Sequence, residues 1–162
     1  FVTALSAPAA QLVQTLRRAN LPYLVMILSF VGASPLAKAL GPEAAGVSVA
    51  LTVPTARSVN IPIIKECVSA WTASGQKETM NVTAIESCIA AKVLVEGIRK
   101  AGKVIPRESL QRSLSALGRM DVGGHVIEFN SGFHHGGKFV DVEVILATGE
   151  LHSEKRERDS IS

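Results

Sequence analysis

The sequence is poor in aromatic residues and contains no apolar run long enough to cross a bilayer. Aromatic side chains make up 4% of its 162 residues, and the longest apolar stretch, residues 21–32, is interrupted by Pro22 and Ser29. That length suits a buried strand, because a transmembrane helix needs about 20 apolar residues. With 47% hydrophobic and 19% charged residues, the chain is not of the disordered class either. The composition predicts one globular unit, or parts of two.

A concentrated basic surface is also lacking. The net charge is +3, and no Lys/Arg stripe with interleaved aromatic residues occurs. Several basic residues instead fall at the carboxyl ends of predicted helices, where positive charge complements the helix dipole; they are Arg17, Arg18, Arg99, Lys100 and Lys103. We therefore expect no nucleic-acid partner.

The patterns that carry enzymatic or metal chemistry are missing as well. The sequence has no G-x-S-x-G, phosphate-binding glycine loop, CxxC, HExxH or EF-hand pattern. Gly123-Gly124 precedes a predicted strand and indicates a turn. His134 and His135 are adjacent, with His125 and His152 nearby in sequence, but neighbouring residues of an extended strand point to opposite faces and chelate poorly together. We expect no catalytic residue, no metal site and no cofactor.

What is present, in the first third, is an alternation of short apolar runs with helical patterns. Apolar runs separated by helices are typical of a parallel sheet covered on both faces. The sequence thus predicts an α/β fold, a three-layer sandwich with a mostly parallel sheet. The predicted strands are residues 1–5, 23–28 and 46–53, and the predicted helices are residues 7–19 and 34–40.

The remainder begins with an irregular polar segment, residues 54–59, which indicates a hinge or crossover. Val140, Val142 and Val144 alternate with acidic residues, as in a half-exposed strand. Helices are predicted at residues 60–74, 82–101 and 106–116, strands at 122–129 and 138–147, and a charged, fraying tail at 153–162. Because the sequence opens inside a predicted strand, we expect further residues before Phe1 in the native protein.

Seven phrases, in this order, resemble the branched-chain amino acid (Leu/Ile/Val-type) substrate-binding proteins of ABC importers. They are LVQTLRRANL, SFVGASPLAKALG, AGVSVALTVP, IPIIKECVSAW, AAKVLVEGIRKAG, RESLQRSLSALGRMDVGGHVIEF and GKFVDVEVILATGEL. The resemblance runs from Phe1 to about Leu151 and implies a type I periplasmic-binding-protein fold, in which two α/β lobes enclose the ligand. Residues 1–53 would end the second lobe, 54–59 would form the hinge, and 60–152 would complete the first lobe.

The resemblance also implies a function. The expected protein is the solute-binding component of an ABC importer, located in the periplasm, which binds a small amino acid or related carboxylate or amide between its lobes. It would present this ligand to an inner-membrane permease, and it would not be an enzyme. Because parts of both lobes would be absent, exposed sheet edges also suggest a homodimer.

Three other functions remain open. The same fold serves as the ligand-sensing domain of receptors, and a degenerate form would bind nothing. A partial flavodoxin-like or Rossmann enzyme is disfavoured, because no phosphate loop or acid/base pair is visible in the sequence.

In the first part of the chain, the resemblance places ligand contacts at Leu5, Ser6, Ser29 and Phe30. Ser6 is otherwise explained as a helix N-cap, which we favour. Ser29 stands where amino-acid binders commonly carry an acidic residue for the ligand ammonium, and a hydroxyl cannot supply that charge. Phe30 is either a wall of the cleft or part of the core, and we favour the core.

The resemblance places two further contacts, Glu86 and Cys88, at the start of the long helix. Cys88 stands where many relatives have a cleft-facing tyrosine. Glu86 is otherwise explained as a carboxylate favoured by the helix dipole, which we prefer. Cys88 would lie level with Cys67 in an antiparallel helical hairpin, so a disulfide is an alternative; we favour a Cys88 that faces the cleft.

Overall fold

A computed structural model describes residues 2–103, 105–129 and 136–153 of the chain. These residues form two compact units: residues 2–52 with 140–153, and residues 53–139. The helices are α1 (Ser6–Arg18), α2 (Ala33–Leu40), α3 (Pro62–Ala73), α4 (Val82–Ala101) and α5 (Arg107–Ser115). The strands are β1 (Met26–Leu28), β2 (Ser48–Leu51), β3 (Gly118–Asp121), β4 (Val126–Phe129), β5 (Asp141–Ile145) and β6 (Leu151–Ser153).

The first unit is built on a four-stranded sheet in the order β1-β2-β5-β6. Strands β1 and β2 are parallel, whereas β5 is antiparallel to β2 and β6 is antiparallel to β5. Helices α1 and α2 join this sheet in one apolar core. The predicted α/β class is confirmed. The sheet contains a parallel pair, but where a mostly parallel sheet is predicted, its described strands form one parallel and two antiparallel pairings. The core includes Ala9, Val13, Ile27, Leu36, Leu40, Val47 and Ile145.

Residues 140–152 are not where the sequence placed them. The sequence predicts that they belong to the later unit with residues 60–139, but β5 pairs with β2 through Ser48↔Val144 to Leu51↔Asp141 and so joins residues 2–52. The register also buries Glu143, which lies beside Val49, and Ile145, which reaches the core. The acidic residue of the alternating pattern therefore lies on the buried side of the strand. Local periodicity cannot show which distant strand is the partner.

The predicted strand at residues 1–5 is reduced to one parallel bridge, Val2↔Ile27. Phe1 lies outside the described residues. Helix α1 begins one residue earlier than expected, at Ser6, so that Leu5 is the N-cap residue. The prediction that Ser6 caps this helix is wrong, because Ser6 is itself helical and its hydroxyl donates to another segment.

The second unit packs helices α3, α4 and α5 around the β3-β4 hairpin. Helix α4 has the predicted bounds, because the Asn81 side chain accepts a hydrogen bond from the Ala84 N–H at 2.9 Å and Gly102 ends the helix with φ of 89°. Gly123 and Gly124 form the predicted turn, with φ of 91° and 83°. Ile63, Ile64, Ile85, Ile89, Val93, Leu117 and Ile127 belong to the core.

A disulfide joins α3 to α4 between Cys67 and Cys88, whose Cα atoms are 6.1 Å apart. The favoured expectation of a free Cys88 is therefore wrong, and the helical-hairpin alternative is the one observed. Both cysteines are a similar distance along the chain from the turn between the two helices, which brings them to the same level. Beyond this bond, no free cysteine occurs in the part of the chain that the structure describes.

Helix α5 docks on α4 at a glycine. A Cβ on Gly97 would lie 2.5 Å from Cδ2 and 2.9 Å from Cγ of Leu114, so the two helices approach more closely than alanine would allow. The Ser113 hydroxyl donates to the Gly97 carbonyl at 2.7 Å across the same contact. The helical backbone at Gly97 does not itself need a glycine, so the close contact with Leu114 is what favours one here.

We expect Gly97→Ala to lower the free energy of unfolding by about 1–2 kcal/mol, measured by urea unfolding. Overpacking costs roughly 1–3 kcal/mol, and the better helix propensity of alanine returns about 1 kcal/mol at most. Leu114→Ala is the matched background, because it removes the clashing atoms. In that background Gly97→Ala should be neutral or stabilising, and a stabilising effect of Gly97→Ala in the wild-type chain would contradict the close contact.

Loss of the disulfide should lower the free energy of unfolding by roughly 3 kcal/mol, because the bond closes a loop of about 22 residues in the unfolded chain. The comparison is wild-type protein with and without dithiothreitol in urea unfolding. The Cys67→Ala/Cys88→Ala variant is the control and should not respond to dithiothreitol. Two free thiols in the denatured, unreduced protein would show that the bond is absent.

Stability should also fall in mild acid because of His125. This side chain is buried beside the Phe139 ring, with the ring centroids 6.0 Å apart. Burial lowers the pKa of His125 below 6.5, and nearby Asp121 opposes this only in part. As pH falls through 6.5 the unfolded chain binds a proton that the folded chain does not, so the free energy of unfolding decreases.

The measurement is the urea midpoint at pH 7.5 and pH 5.5. His125→Gln keeps a polar side chain of similar size without a titrating ring and should show a smaller decrease than wild type. Equal decreases in both proteins would assign the pH dependence to other groups.

Candidate functional site

The carboxyl end of the parallel strands in the first unit brings two of the predicted segments to one edge. Strand β1 ends at Leu28 and continues into a 3-10 turn, Ser29–Val31. Val2 runs parallel to this strand through its bridge to Ile27, so the chain that follows it, Leu5-Ser6, leaves at the same edge. This edge is where open α/β sheets bind ligands.

A hydrogen bond fastens the two segments together. The Ser6 hydroxyl donates to the Val31 carbonyl at 3.1 Å, in a half-buried position and across 25 residues of sequence. Ser6 therefore spans from the start of α1 to the turn after β1. This hydrogen bond is partly shielded from solvent.

Phe30 and Ser29 point to different environments although they are neighbours. The Phe30 side chain is 44% exposed, so the favoured interpretation as a core residue is wrong. The 3-10 turn directs it outward, while Ser29 is only 7% exposed and is engaged in contacts within the protein. Leu5, which directly precedes Ser6, is largely exposed. The edge thus presents an aromatic and an aliphatic side chain to solvent.

Two helices begin at this edge without a side-chain cap. Neither Leu5, before α1, nor Gly32, before α2, offers a side-chain acceptor to the first helical N–H groups, and neither first turn contains an acidic residue. The amino ends of helices carry partial positive charge. The edge can therefore attract a carboxylate or another small anion.

The sequence did not predict the amino end of α2 as part of this edge. Gly32 has φ of 76°, which turns the chain from the 3-10 segment directly into α2. The sequence offered one signal for this helix start. Ser34-Pro35 favours the first turn of a helix, and Gly32 shortly before it allows the sharp turn from β1 into α2.

In the second unit, Glu86 and Cys88 lie in the first half of α4. Both are partly buried, and Glu86 is engaged in contacts within the protein. The sulfur of Cys88 is bonded to Cys67, so it is neither a nucleophile nor a thiolate ligand. The disulfide fixes the position of this part of α4 against α3.

No group of His, Cys, Asp and Glu residues that could hold a metal ion occurs among the described residues. His134 and His135 lie outside them. In the same part of the chain, no helix has both the length and the apolar content for a membrane crossing.

Comparison with known sequences gives no match: neither a family model nor a curated protein sequence is similar to the chain. Solved structures do match. A substrate-binding periplasmic protein from Ralstonia solanacearum is 32% identical with a TM-score of 0.79, over 93% of this chain and 44% of that one. A possible leucine/isoleucine/valine-binding protein from Rhodopirellula baltica is 25% identical with a TM-score of 0.82, over 93% and 40%.

A branched-chain amino acid ABC transporter protein from Thermus thermophilus, solved with bound valine, is 19% identical with a TM-score of 0.70, over 93% of this chain and 43% of that one. The chain thus spans about two-fifths of the length of these neighbours. Over that length it has the type I periplasmic-binding-protein fold of Leu/Ile/Val-binding and other ABC substrate-binding proteins, as its resemblance in sequence implied.

Proposed function

We propose that this chain is part of the solute-binding component of an ABC importer. The observation that carries the proposal is the match of 93% of the chain to substrate-binding proteins, at 32% identity in one case. The edge at Leu5, Ser6, Ser29 and Phe30 supports it. At this edge the carboxyl end of a parallel strand, two uncapped helix ends and an exposed aromatic side chain occur together, which suits a small ligand with an anionic group.

In the proposed role the protein binds and releases its ligand without changing it chemically. Binding and release of an unchanged solute require a shaped, polar and apolar surface, and the residues of the edge supply hydrogen-bonding groups and apolar contacts. The partner would be a permease in the inner membrane that receives the solute. Nothing in the proposed role needs a nucleophile or a titrating acid and base.

The proposed location is the periplasm. A disulfide between two structural helices suits a compartment that is oxidising, because thiols are kept reduced in the cytosol. The Cys67–Cys88 bond is thus consistent with an exported protein. The substrate-binding periplasmic protein from Ralstonia solanacearum provides independent support.

The ligand class follows from what the candidate residues cannot do. Ser29 has no charge and is buried, and Cys88 is consumed in a disulfide. A ligand ammonium would therefore lack the carboxylate partner expected at position 29, whereas the helix ends still favour a ligand carboxylate. We propose a small carboxylate or amide with an apolar side chain, for which an α-ammonium group adds little affinity.

Isothermal titration calorimetry of the complete polypeptide that the gene encodes tests this proposal. The ligand panel is leucine, leucinamide and 4-methylpentanoate, which differ only in the ammonium and carboxylate groups, together with a set of aromatic acids. We expect 4-methylpentanoate to bind at least as tightly as leucine. Phe30→Ala should weaken binding at least tenfold, because it removes the exposed aromatic contact.

Leu24→Ala is the matched control, since Leu24 is 95% exposed in the same unit and lies before β1, away from the carboxyl edge. It should leave affinity unchanged. If leucine binds much more tightly than 4-methylpentanoate, the ligand class is wrong. If folded protein binds none of the panel, solute binding itself is rejected and the degenerate form is favoured.

A further inference from the structure

The segment between α1 and β1 exposes apolar side chains that the core of the first unit does not use. Leu21, Tyr23 and Leu24 are 40%, 59% and 95% exposed. A single exposed apolar residue is ordinary on a protein surface. Three of them within four positions, one almost wholly in solvent, indicate a surface that contacts something apolar.

This segment leaves α1 in a fixed conformation. Asn20 has φ of 52°, and its N–H donates to the Arg17 carbonyl at 3.0 Å. The Leu21 N–H donates to the Leu16 carbonyl, also at 3.0 Å. Together these two bonds form the Schellman motif that ends many helices, and Pro22 then restricts the backbone further. A segment that is already ordered loses little conformational freedom when it binds a partner.

A fourth apolar side chain reaches the same edge of the sheet from another strand. Leu24 lies just before β1, and Leu146, which is 39% exposed, directly follows β5. Because β1 is parallel to β2 and β5 is antiparallel to it, the start of β1 and the end of β5 lie at one edge, two strand spacings or about 10 Å apart. This is the edge opposite to the candidate site. We call the set the amino-edge patch, and it consists of Leu21, Tyr23, Leu24 and Leu146.

The charged residues at the end of α1, next to the amino-edge patch, are basic. The Arg17 Nη2 group donates to the Ala45 carbonyl at 2.8 Å, which holds the end of α1 beside the chain that leads into β2. Arg18 is exposed. No Asp or Glu precedes Glu43 in the sequence. Glu43 and Glu150 lie on the turns before β2 and after β5, and not on the segment between α1 and β1.

We propose that the amino-edge patch binds the surface of an anionic phospholipid bilayer. Leucine and tyrosine side chains on an ordered segment can enter the boundary between head groups and acyl chains, where tyrosine is favoured. Arg18 is then placed to attract the negatively charged head groups. The candidate site, at the opposite edge of the sheet, stays open in this arrangement. The proposal is independent of which solute, if any, the protein binds.

Cosedimentation with lipid vesicles tests the proposal on the complete polypeptide that the gene encodes. The vesicles contain equal parts of phosphatidylglycerol and phosphatidylcholine, or phosphatidylcholine alone. We expect binding to the anionic vesicles that weakens at high salt, because salt screens exposed charges. Tyr23→Ser/Leu24→Ser should weaken this binding by about tenfold or more, because two apolar side chains no longer enter the bilayer.

Two controls separate the patch and its charge from general effects. Val140→Ser changes an apolar residue of the same unit that is 67% exposed but lies before β5, at the opposite edge, and should bind as wild type does. Arg18→Ser should weaken binding to anionic vesicles by about fivefold. Arg18→Lys keeps the charge and should restore it.

Stability distinguishes a bilayer from polypeptide as the occupant of the patch. If Tyr23 and Leu24 face water in the complete polypeptide, Tyr23→Ser/Leu24→Ser should leave the melting temperature within about 2 °C of wild type. A fall of about 10 °C would overturn the proposal, because other polypeptide would then cover the patch. So would a dimer that this variant dissociates, the absence of binding to anionic vesicles, or equal binding by wild type and variant.

Discussion

Strand β2 lies at the centre of the first unit. It pairs with β1, which is near it in sequence, and with β5, which comes much later in the chain. On one side Ser48–Leu51 runs parallel to β1, and on the other side it is antiparallel to β5. Val49 and Leu51 are buried as a result, and Gly46 donates its N–H to the Ile145 carbonyl at 2.8 Å. Without β5, the backbone groups on one side of β2 would lack partners, which is costly for a buried strand.

This constraint explains which parts of the fold were predictable. Helix α4 was predicted with its observed bounds, because a capping Asn81, a long apolar pattern and Gly102 are all local signals. The place of β5 was not, because its partner lies some 90 residues earlier and the alternation of valines with acids carries no information about it. The short strands β3 and β6 were missed, since three or four residues of mixed polarity show no period.

The candidate edge was predictable in its position but not in its details. The order of strands and helices placed Leu5-Ser6 and Ser29-Phe30 after strands, and the structure brings both segments to one edge. The exposure of Phe30 and the hydrogen bond from Ser6 to Val31 depend on the 3-10 turn. A turn of three residues has no recognisable sequence pattern. The spacing of Cys67 and Cys88 in a helical hairpin allowed the disulfide, whereas the resemblance favoured a cleft-facing Cys88, and the structure has the disulfide.

The second unit is an insertion between strands β2 and β5 of the first unit, which we call the host. The chain leaves the host just after Leu51 and returns just before Asp141, and these two residues are direct partners in the sheet. Antiparallel neighbours can be joined by a turn of two to five residues. A short hairpin turn could therefore connect the same two strand ends, so residues 53–139 are an insertion at a point where the sheet itself needs only a few connecting residues.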